Sequence, residues 1–311
     1  MASTTPSLLS GVVPPVCTPL TPDHEIDARS LERLIAHLLD GGVDGLFFLG
    51  SSSEVAFLPD THRARVLEIA VGAVAGQVPV VAGVIDTATM RVAAHIQEAA
   101  KAGVDGVVAT APFYTRTHPA EIERHFRLLR AATELPIIAY DLPVSVHSKL
   151  GGDLLARLAA DEVIQGVKDS SGDEGGFRRL LLATAETPGF SVLTGSELTV
   201  DTAAFMGAHG VVPGLGNVDP HGYARLWDAA RRGDMAAARA EQQRLIALFG
   251  LVDAGAAERM GPGSSALGAF KAALYLRGII DHPVTAPPQI PLDAAEVATV
   301  RGYIERAGLL G

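Results

Sequence analysis

The residue with the most chemical consequence in this sequence is a lysine set inside an apolar run. Lys168 lies in residues 164–169 (IQGVKD), and lysine is rarely fully buried without a partner. A desolvated lysine has a lowered pKa, and the free amine that results can attack a ketone to form an imine. A structural ion pair with Glu54 or Asp141 would also explain a lysine there, and spacing alone leaves both readings open. Tyr140 ends the preceding apolar run, residues 136–141 (PIIAYD). A phenol at that point is either a proton relay for carbanion chemistry or a core tyrosine with a satisfied hydroxyl. An amine and a proton shuttle within reach of one carbon are what a Schiff-base reaction requires. The loop 50–54 (GSSSE) adds three hydroxyls, on Ser51, Ser52 and Ser53, with successive backbone N–H groups suited to a carboxylate. Such a loop also serves as a helix cap.

Other chemistries find less support. His37, His62, His95 and His125 fall on expected helices, and no H-x-H or H-E-x-x-H pairing occurs, so no metal site is expected. The single cysteine, Cys17, lies in GVVPPVCTPL with no evident base and reads as a buried structural residue. It cannot form an internal disulfide, which suits a reducing cytoplasm. A formal charge of −10 argues against a nucleic-acid partner. The N-terminal stretch MASTTPSLLSG lacks the features of a secretory signal, and apolar runs broken by glycine are too short to span a bilayer. A cytoplasmic, soluble protein is expected.

These side chains need elements to hold them. Eight short β-rich runs occur at residues 11–20, 45–50, 79–84, 106–110, 136–141, 164–169, 190–195 and 210–215. Amphipathic stretches such as ARSLERLIAHLLD, DTHRARVLEIAVGAV and ATMRVAAHIQEAAKA separate them. Asp60 suits a helix N-cap, and Gly41 and Gly103 suit C-caps. Strands apolar on both faces, alternating with helices, predict an α/β protein built as a closed (β/α)8 barrel. The junction GGVDGLFFLG recurs as AGVDGVVAT and GAHGVVPG, as a repeated βα unit should. An open doubly wound sheet is disfavoured because no G-x-G-x-x-G follows the first strand. From residue 220 the pattern is helical only, which divides the chain into a barrel over 1–219 and a C-terminal helical subdomain over 220–311. Active sites of this fold lie at the C-terminal ends of the strands. There the sequence places Ser51–Ser53, Phe113, Tyr114, Tyr140, Lys168, Glu197 and Val212.

At these positions the chain resembles the dihydrodipicolinate synthase/N-acetylneuraminate lyase family. Four motifs carry the resemblance: GSSSE at 50–54, APFY at 111–114, YDLP at 140–143 and GVKDSSGD at 166–173. Together they are specific, and the likeness extends from Gly11 almost to the C-terminus. It implies that Lys168 forms the imine and that Tyr140 shuttles protons. It implies further that Ser51 links Tyr140 to Tyr114 of a neighbouring subunit, with Ser52 and the loop amides gripping the 2-oxo acid carboxylate. A homotetramer built as a dimer of dimers, without metal or organic cofactor, is also implied.

Departures from the family pattern narrow the activity. Ser53 stands where glycine is usual, and Ser145 where the synthases usually carry an arginine for the second substrate. Val55, Asp60 and Phe113 replace residues of the lysine-feedback site, and Glu197, Leu198 and Gly214 depart from the neuraminate lyase pattern. His147 and Lys149 lie just beyond the catalytic strand, where contact with a polar or anionic aldehyde is conceivable; a solvated loop is the plainer reading. The expected function is a class I lyase or aldolase joining or cleaving pyruvate and an aldehyde, with a 2-keto-3-deoxy sugar acid as one candidate substrate. The alternatives are a 4-hydroxy-tetrahydrodipicolinate synthase, a dehydratase or hydratase-aldolase using the same imine, and a non-catalytic 2-oxo acid binding barrel.

Overall fold

A computed structural model describes residues 7–310. Met1–Pro6, which open the stretch read above as no secretory signal, and Gly311 lie outside the described residues. The eight strands are β1 (Gly11–Val12), β2 (Leu46–Phe48), β3 (Val80–Gly83), β4 (Gly106–Thr110), β5 (Ile137–Asp141), β6 (Gly166–Asp169), β7 (Ser191–Thr194) and β8 (Gly210–Val211). All pair in parallel in the order β1-β8-β7-β6-β5-β4-β3-β2. The sheet closes where Pro15 bridges Phe47: Val16 N donates to Phe47 O at 2.8 Å, and Phe47 N donates to Pro14 O at 3.1 Å. This is a (β/α)8 barrel.

Regular pairing of β1 is far shorter than the apolar run 11–20 suggests. Pro14, Pro15 and Pro19 have no N–H to give a ladder. Asn217, wholly buried, fills part of the gap. Its Oδ1 accepts from Cys17 N at 2.9 Å, and its Nδ2 donates to Pro15 O and Gly214 O at 2.8 Å each.

Strand alternation sorts the core into two layers. Val81, Val108, Ile138, Leu193 and Val212 point into the barrel with Phe47 and Tyr140. Their neighbours Val80, Val107, Ile137, Val192 and Val211 point outward under the helices. The recurrent G-x-D/H-G junction has a defined job in this geometry. Asp44 Oδ2 accepts from Val12 N at 2.8 Å, Asp105 Oδ2 from Val80 N at 2.8 Å, and His209 Nδ1 from Val192 N at 3.1 Å. Gln165 Oε1, at the matching place before β6, accepts from Ile137 N at 2.8 Å. The residue ahead of each even-numbered strand thus satisfies a backbone donor at the start of the odd-numbered strand before it, at the N-terminal rim where the staggered ladder runs out.

Helices α1 (Ala28–Asp40), α2 (Asp60–Val74), α3 (Thr89–Ala102) and α4 (Pro119–Ala131) follow the first four strands. Next come α5 (Pro143–Val146), α6 (Gly152–Ala160), α7 (Glu174–Ala183) and α8 (Val200–Phe205). In α1 the spacing of Leu31, Leu34, Ile35 and Leu38 buries one face, and Asp27 caps the start by accepting from Ser30 N at 3.1 Å. Asp60, expected as the N-cap of α2, is instead its first residue. Pro59 holds the cap position, where its missing N–H costs nothing and Asp60 still faces the positive end of the helix. Gly103 ends α3 at φ +84° as expected; after α1 the left-handed residue is Gly42, one beyond Gly41.

The C-terminal part comprises α9 (Pro220–Arg231), α10 (Met235–Phe249), α11 (Pro262–Leu276) and α12 (Ala294–Arg306). Helix α9 packs on β1 and α8, and α10 on α9, so these helices continue the outer layer without a gap. Among the described residues, no helix is long and apolar enough to cross a membrane.

Candidate active site

Lys168 and Tyr140 are direct partners across β5 and β6, both pointing into the barrel mouth. Lys168 is 5% exposed, and its Nζ lies 4.1 Å from the centroid of the Tyr140 ring and 5.1 Å from that of Phe47. The two carboxylates that could have made it a structural ion pair are engaged elsewhere. Glu54 is paired with Lys271 and Asp141 with Lys149, and among the described residues Lys168 has no carboxylate within salt-bridge distance. Its amine therefore faces a tyrosine and a phenylalanine ring.

Tyr140 is buried, which on its own pushes a phenol up. The adjacent Lys168 and hydrogen bonding with Ser51, Lys168 and Ser170 outweigh burial and hold the hydroxyl below its ordinary 10.0. Its ring meets Phe47 edge-on, with centroids 6.4 Å apart at 84°. Sequence reasoning missed Phe47 and Ser170. Period-two alternation in β2 marks Phe47 as the inward residue, and Gly50 leaves the room it needs, since a Cβ there would sit 2.7 Å from the ring. Ser170 shows no such mark except Gly195 opposite, whose hydrogen-only side chain avoids a collision with the Ser170 hydroxyl.

The GSSSE loop separates its three serines. Residues 51–53 form one 3-10 turn, with Ser51 exposed, Ser52 half-buried and Ser53 wholly buried. Ser53 is not at hand for a substrate, contrary to the expectation from sequence. Its hydroxyl donates to Val16 O at 2.6 Å and accepts from Gly50 N at 3.1 Å, while its carbonyl accepts from Thr18 Oγ1 at 2.9 Å. Nor does Ser53 need the conformational freedom of glycine, because the left-handed residues here are Leu49 and Glu54, at φ +57° and +62°. The amides of Ser51 and Ser52 head the turn and, among the described residues, meet no backbone acceptor. Glu54 then ties the loop to the C-terminal helices. Its carboxylate pairs with Lys271 of α11 and accepts from Ala286 N at 2.5 Å, and Lys271 also donates to Val284 O at 2.6 Å.

Glu197 is likewise committed elsewhere. Its carboxylate accepts from Gly214 N at 2.9 Å, Leu215 N at 2.8 Å and Tyr223 Oη at 2.8 Å, clamping the loops after β7 and β8 to α9. Burial raises its pKa despite these donors. A substrate contact from this side chain is thereby displaced by an internal clamp. Lys149 is bound to Asp141 and to Ser171 Oγ (2.9 Å), with Asp169 Oδ2 at 3.9 Å, and is outside the lining of the cavity described below. His147 is an exposed left-handed residue ending α5, outside the walls of the same cavity. Val212 is buried in the interior cluster with Tyr140 and forms part of the apolar wall. Tyr114 stands 91% exposed at φ +77°, away from its own chain's interior. Cys17 is fully enclosed, and burial pushes its thiol up to about 12. Among the described residues, no three His, Cys, Asp or Glu side chains converge as a metal-binding group.

A cavity of about 450 Å³ opens beside this cluster, from Ser51, Thr110, Leu142 and Ser145 outward to Leu267 and Gln289.

The fold and this cluster define a class of protein: parallel barrels with a buried, unpaired lysine beside a tyrosine at the C-terminal mouth. The dihydrodipicolinate synthetase family profile matches residues 8–307. An uncharacterized DapA-like lyase of Halobacterium salinarum is 34% identical over 302 residues, covering 97% of this chain and 95% of the relative. The 4-hydroxy-tetrahydrodipicolinate synthase of Neisseria meningitidis serogroup B is 34% identical over 242 residues, 78% of this chain and 82% of its own. Among solved structures, YagE from E. coli K12, a prophage protein of the dihydrodipicolinic acid synthase family in complex with pyruvate, superposes with a TM-score of 0.91. It is 28% identical, and the match covers 97% of this chain and 100% of YagE. The chain belongs to the dihydrodipicolinate synthetase family and is a carbon–carbon lyase of the class I aldolase type.

Proposed function

We propose that the protein joins pyruvate to an aldehyde, or runs the reverse cleavage, through an imine on Lys168 and without a metal or organic cofactor. The observation that carries this reading is the placement of a buried Lys168 amine, free of any carboxylate, against Tyr140. The pyruvate complex of YagE supports the choice of 2-oxo acid.

The Lys168 amine adds to the ketone carbon, and loss of water from the carbinolamine gives the imine. The Tyr140 oxygen, having given its proton to the departing hydroxyl, takes a methyl proton in return, which gives an enamine whose terminal carbon bonds to the aldehyde carbon. The aldehyde oxygen takes a proton from Tyr140, and water hydrolyses the new imine to release a 4-hydroxy-2-oxo acid. Ser51 and Ser170 orient the Tyr140 hydroxyl, and the free amides of Ser51 and Ser52, with the Ser52 hydroxyl, hold the pyruvate carboxylate. Tyr114 serves a neighbouring subunit's site in a homotetramer, a role its exposure and left-handed backbone favour. A 4-hydroxy-tetrahydrodipicolinate synthase role fits less well, because Ser145 on the cavity wall offers no cation to a carboxylated second substrate.

Exchange of pyruvate methyl protons for deuterium, followed by NMR, tests the enamine directly. The protein should catalyse it without any aldehyde, and Lys168→Arg should abolish it. Exchange that survives in Lys168→Arg would sink the reading.

A further inference from the structure

We infer that the aldehyde partner is a molecule with an apolar body, of aromatic size, ending in one uncharged hydrogen-bonding group, and not a polyol or a carboxylated aldehyde. This rests on the proposed imine chemistry and concerns the cavity beside it.

The cavity begins at Ser51, which lies beside Tyr140, and at Thr110, which pairs with Tyr140 in register. An aldehyde reaching the enamine carbon on Lys168 would leave its tail in this space. At about 450 Å³ the space is of ordinary small-molecule size. Its walls are chiefly Val55, Phe57, Ile85, Phe113, Leu142 and Leu267. Among the described residues the one charged lining residue is Glu54, whose carboxylate is already held by Lys271 and Ala286 N. Among the described residues of one subunit no cation lines the cavity to receive a carboxylate, and Glu54 would repel one. The hydroxyls of a sugar tail would lose water against these walls with few partners to replace it.

Two polar atoms on the walls do lack partners. Thr110 Oγ1, on a residue 3% exposed, and Gln289 Oε1 are both buried without a hydrogen bond. Thr110 stands at the reacting end, suited to the aldehyde oxygen. Gln289 adjoins Ile290, whose N donates to Oγ of Ser264, another lining residue, and its side-chain oxygen suits a single neutral donor such as a phenol. Buried polar atoms left unpaired in a native fold call for a partner.

The test is condensation of pyruvate with four aldehydes by the wild-type protein: benzaldehyde, 4-hydroxybenzaldehyde, D-glyceraldehyde and succinic semialdehyde. The expected result is a kcat/KM for each aromatic aldehyde at least tenfold above both of the others. Gln289→Leu should remove the advantage of 4-hydroxybenzaldehyde over benzaldehyde. Equal or faster use of glyceraldehyde or succinic semialdehyde, by a protein that exchanges pyruvate methyl protons, would overturn the inference and leave the imine chemistry standing. Absence of that exchange would instead strike the imine chemistry itself, and this inference with it.

Discussion

At the scale of single residues, the pairing of Lys168 with Tyr140 is decided by what surrounds it. Both of the carboxylates that could have neutralised Lys168 answer to other lysines, one on α11 and one before α6. Tyr140→Phe keeps the ring that packs on Phe47 and removes only the proton, so kcat should fall by about 10²–10⁴-fold with the fold intact. The hydroxyl of Tyr140 titrates below 10.0 because Lys168, Ser51 and Ser170 outweigh burial. A reaction needing the protonated phenol is lost as pH rises through that value. Ser170→Ala removes one of the lowering contacts, so the alkaline limb of the kcat–pH profile should move to higher pH; a shift downward would contradict the assignment. Lys168 and Tyr140 were legible as a pair because strand ends are where this architecture puts chemistry. Ser53 and Glu197 misled for a common reason: polar side chains at strand ends serve backbone donors as readily as substrates, and only the partners tell which.

At the scale of elements, the catalytic loop is braced from two sides. Ser53 fastens it to the segment after β1, and the enclosed Glu54–Lys271 pair fastens it to α11. Lys271→Met leaves a buried carboxylate without its cation and should cost about 3–5 kcal/mol in urea unfolding. Adding Glu54→Leu should return most of that loss, and failure to do so would mean that the loss does not come from the orphaned carboxylate. The recurrence of the G-x-D-G junction showed that the units repeat, though not why. The answer lies between strands, where Asp44, Asp105, Gln165 and His209 each accept from one of the first two amides of a neighbouring strand. Gln165 escaped the motif because an amide oxygen does the same work as a carboxylate in a different sequence context. Asp105→Ala should destabilise by about 1–3 kcal/mol through the orphaned Val80 N–H. The short β1 was hidden for another reason, since apolar character suggests a strand while three prolines deny it a ladder.

At the scale of the whole molecule, burial of histidines sets the response to acid. Burial holds His37 and His125 down at about 4 from 6.5, and an Nε2 in each lacks a partner. Between those two pH values each of these histidines takes up a proton on unfolding, so the pair lowers stability as pH drops from about 6.5 to about 4, while the raised carboxyls of Glu197 and Asp141 act in the opposite sense. The dependence of Tm on pH across that window should shift towards stability at low pH when His37 and His125 are both replaced by glutamine, and an unchanged slope would contradict the assignment. The helices after β8 were legible from their periodicity. Their involvement in the site was not, because the contact from Lys271 to Glu54 joins residues more than two hundred positions apart.

An imine on Lys168 can be trapped by reduction. Pyruvate and sodium borohydride should leave one reduced pyruvate on the intact chain, located by peptide mass spectrometry at Lys168 and absent in Lys168→Arg. An adduct on any other lysine, or the same adduct in Lys168→Arg, would contradict it.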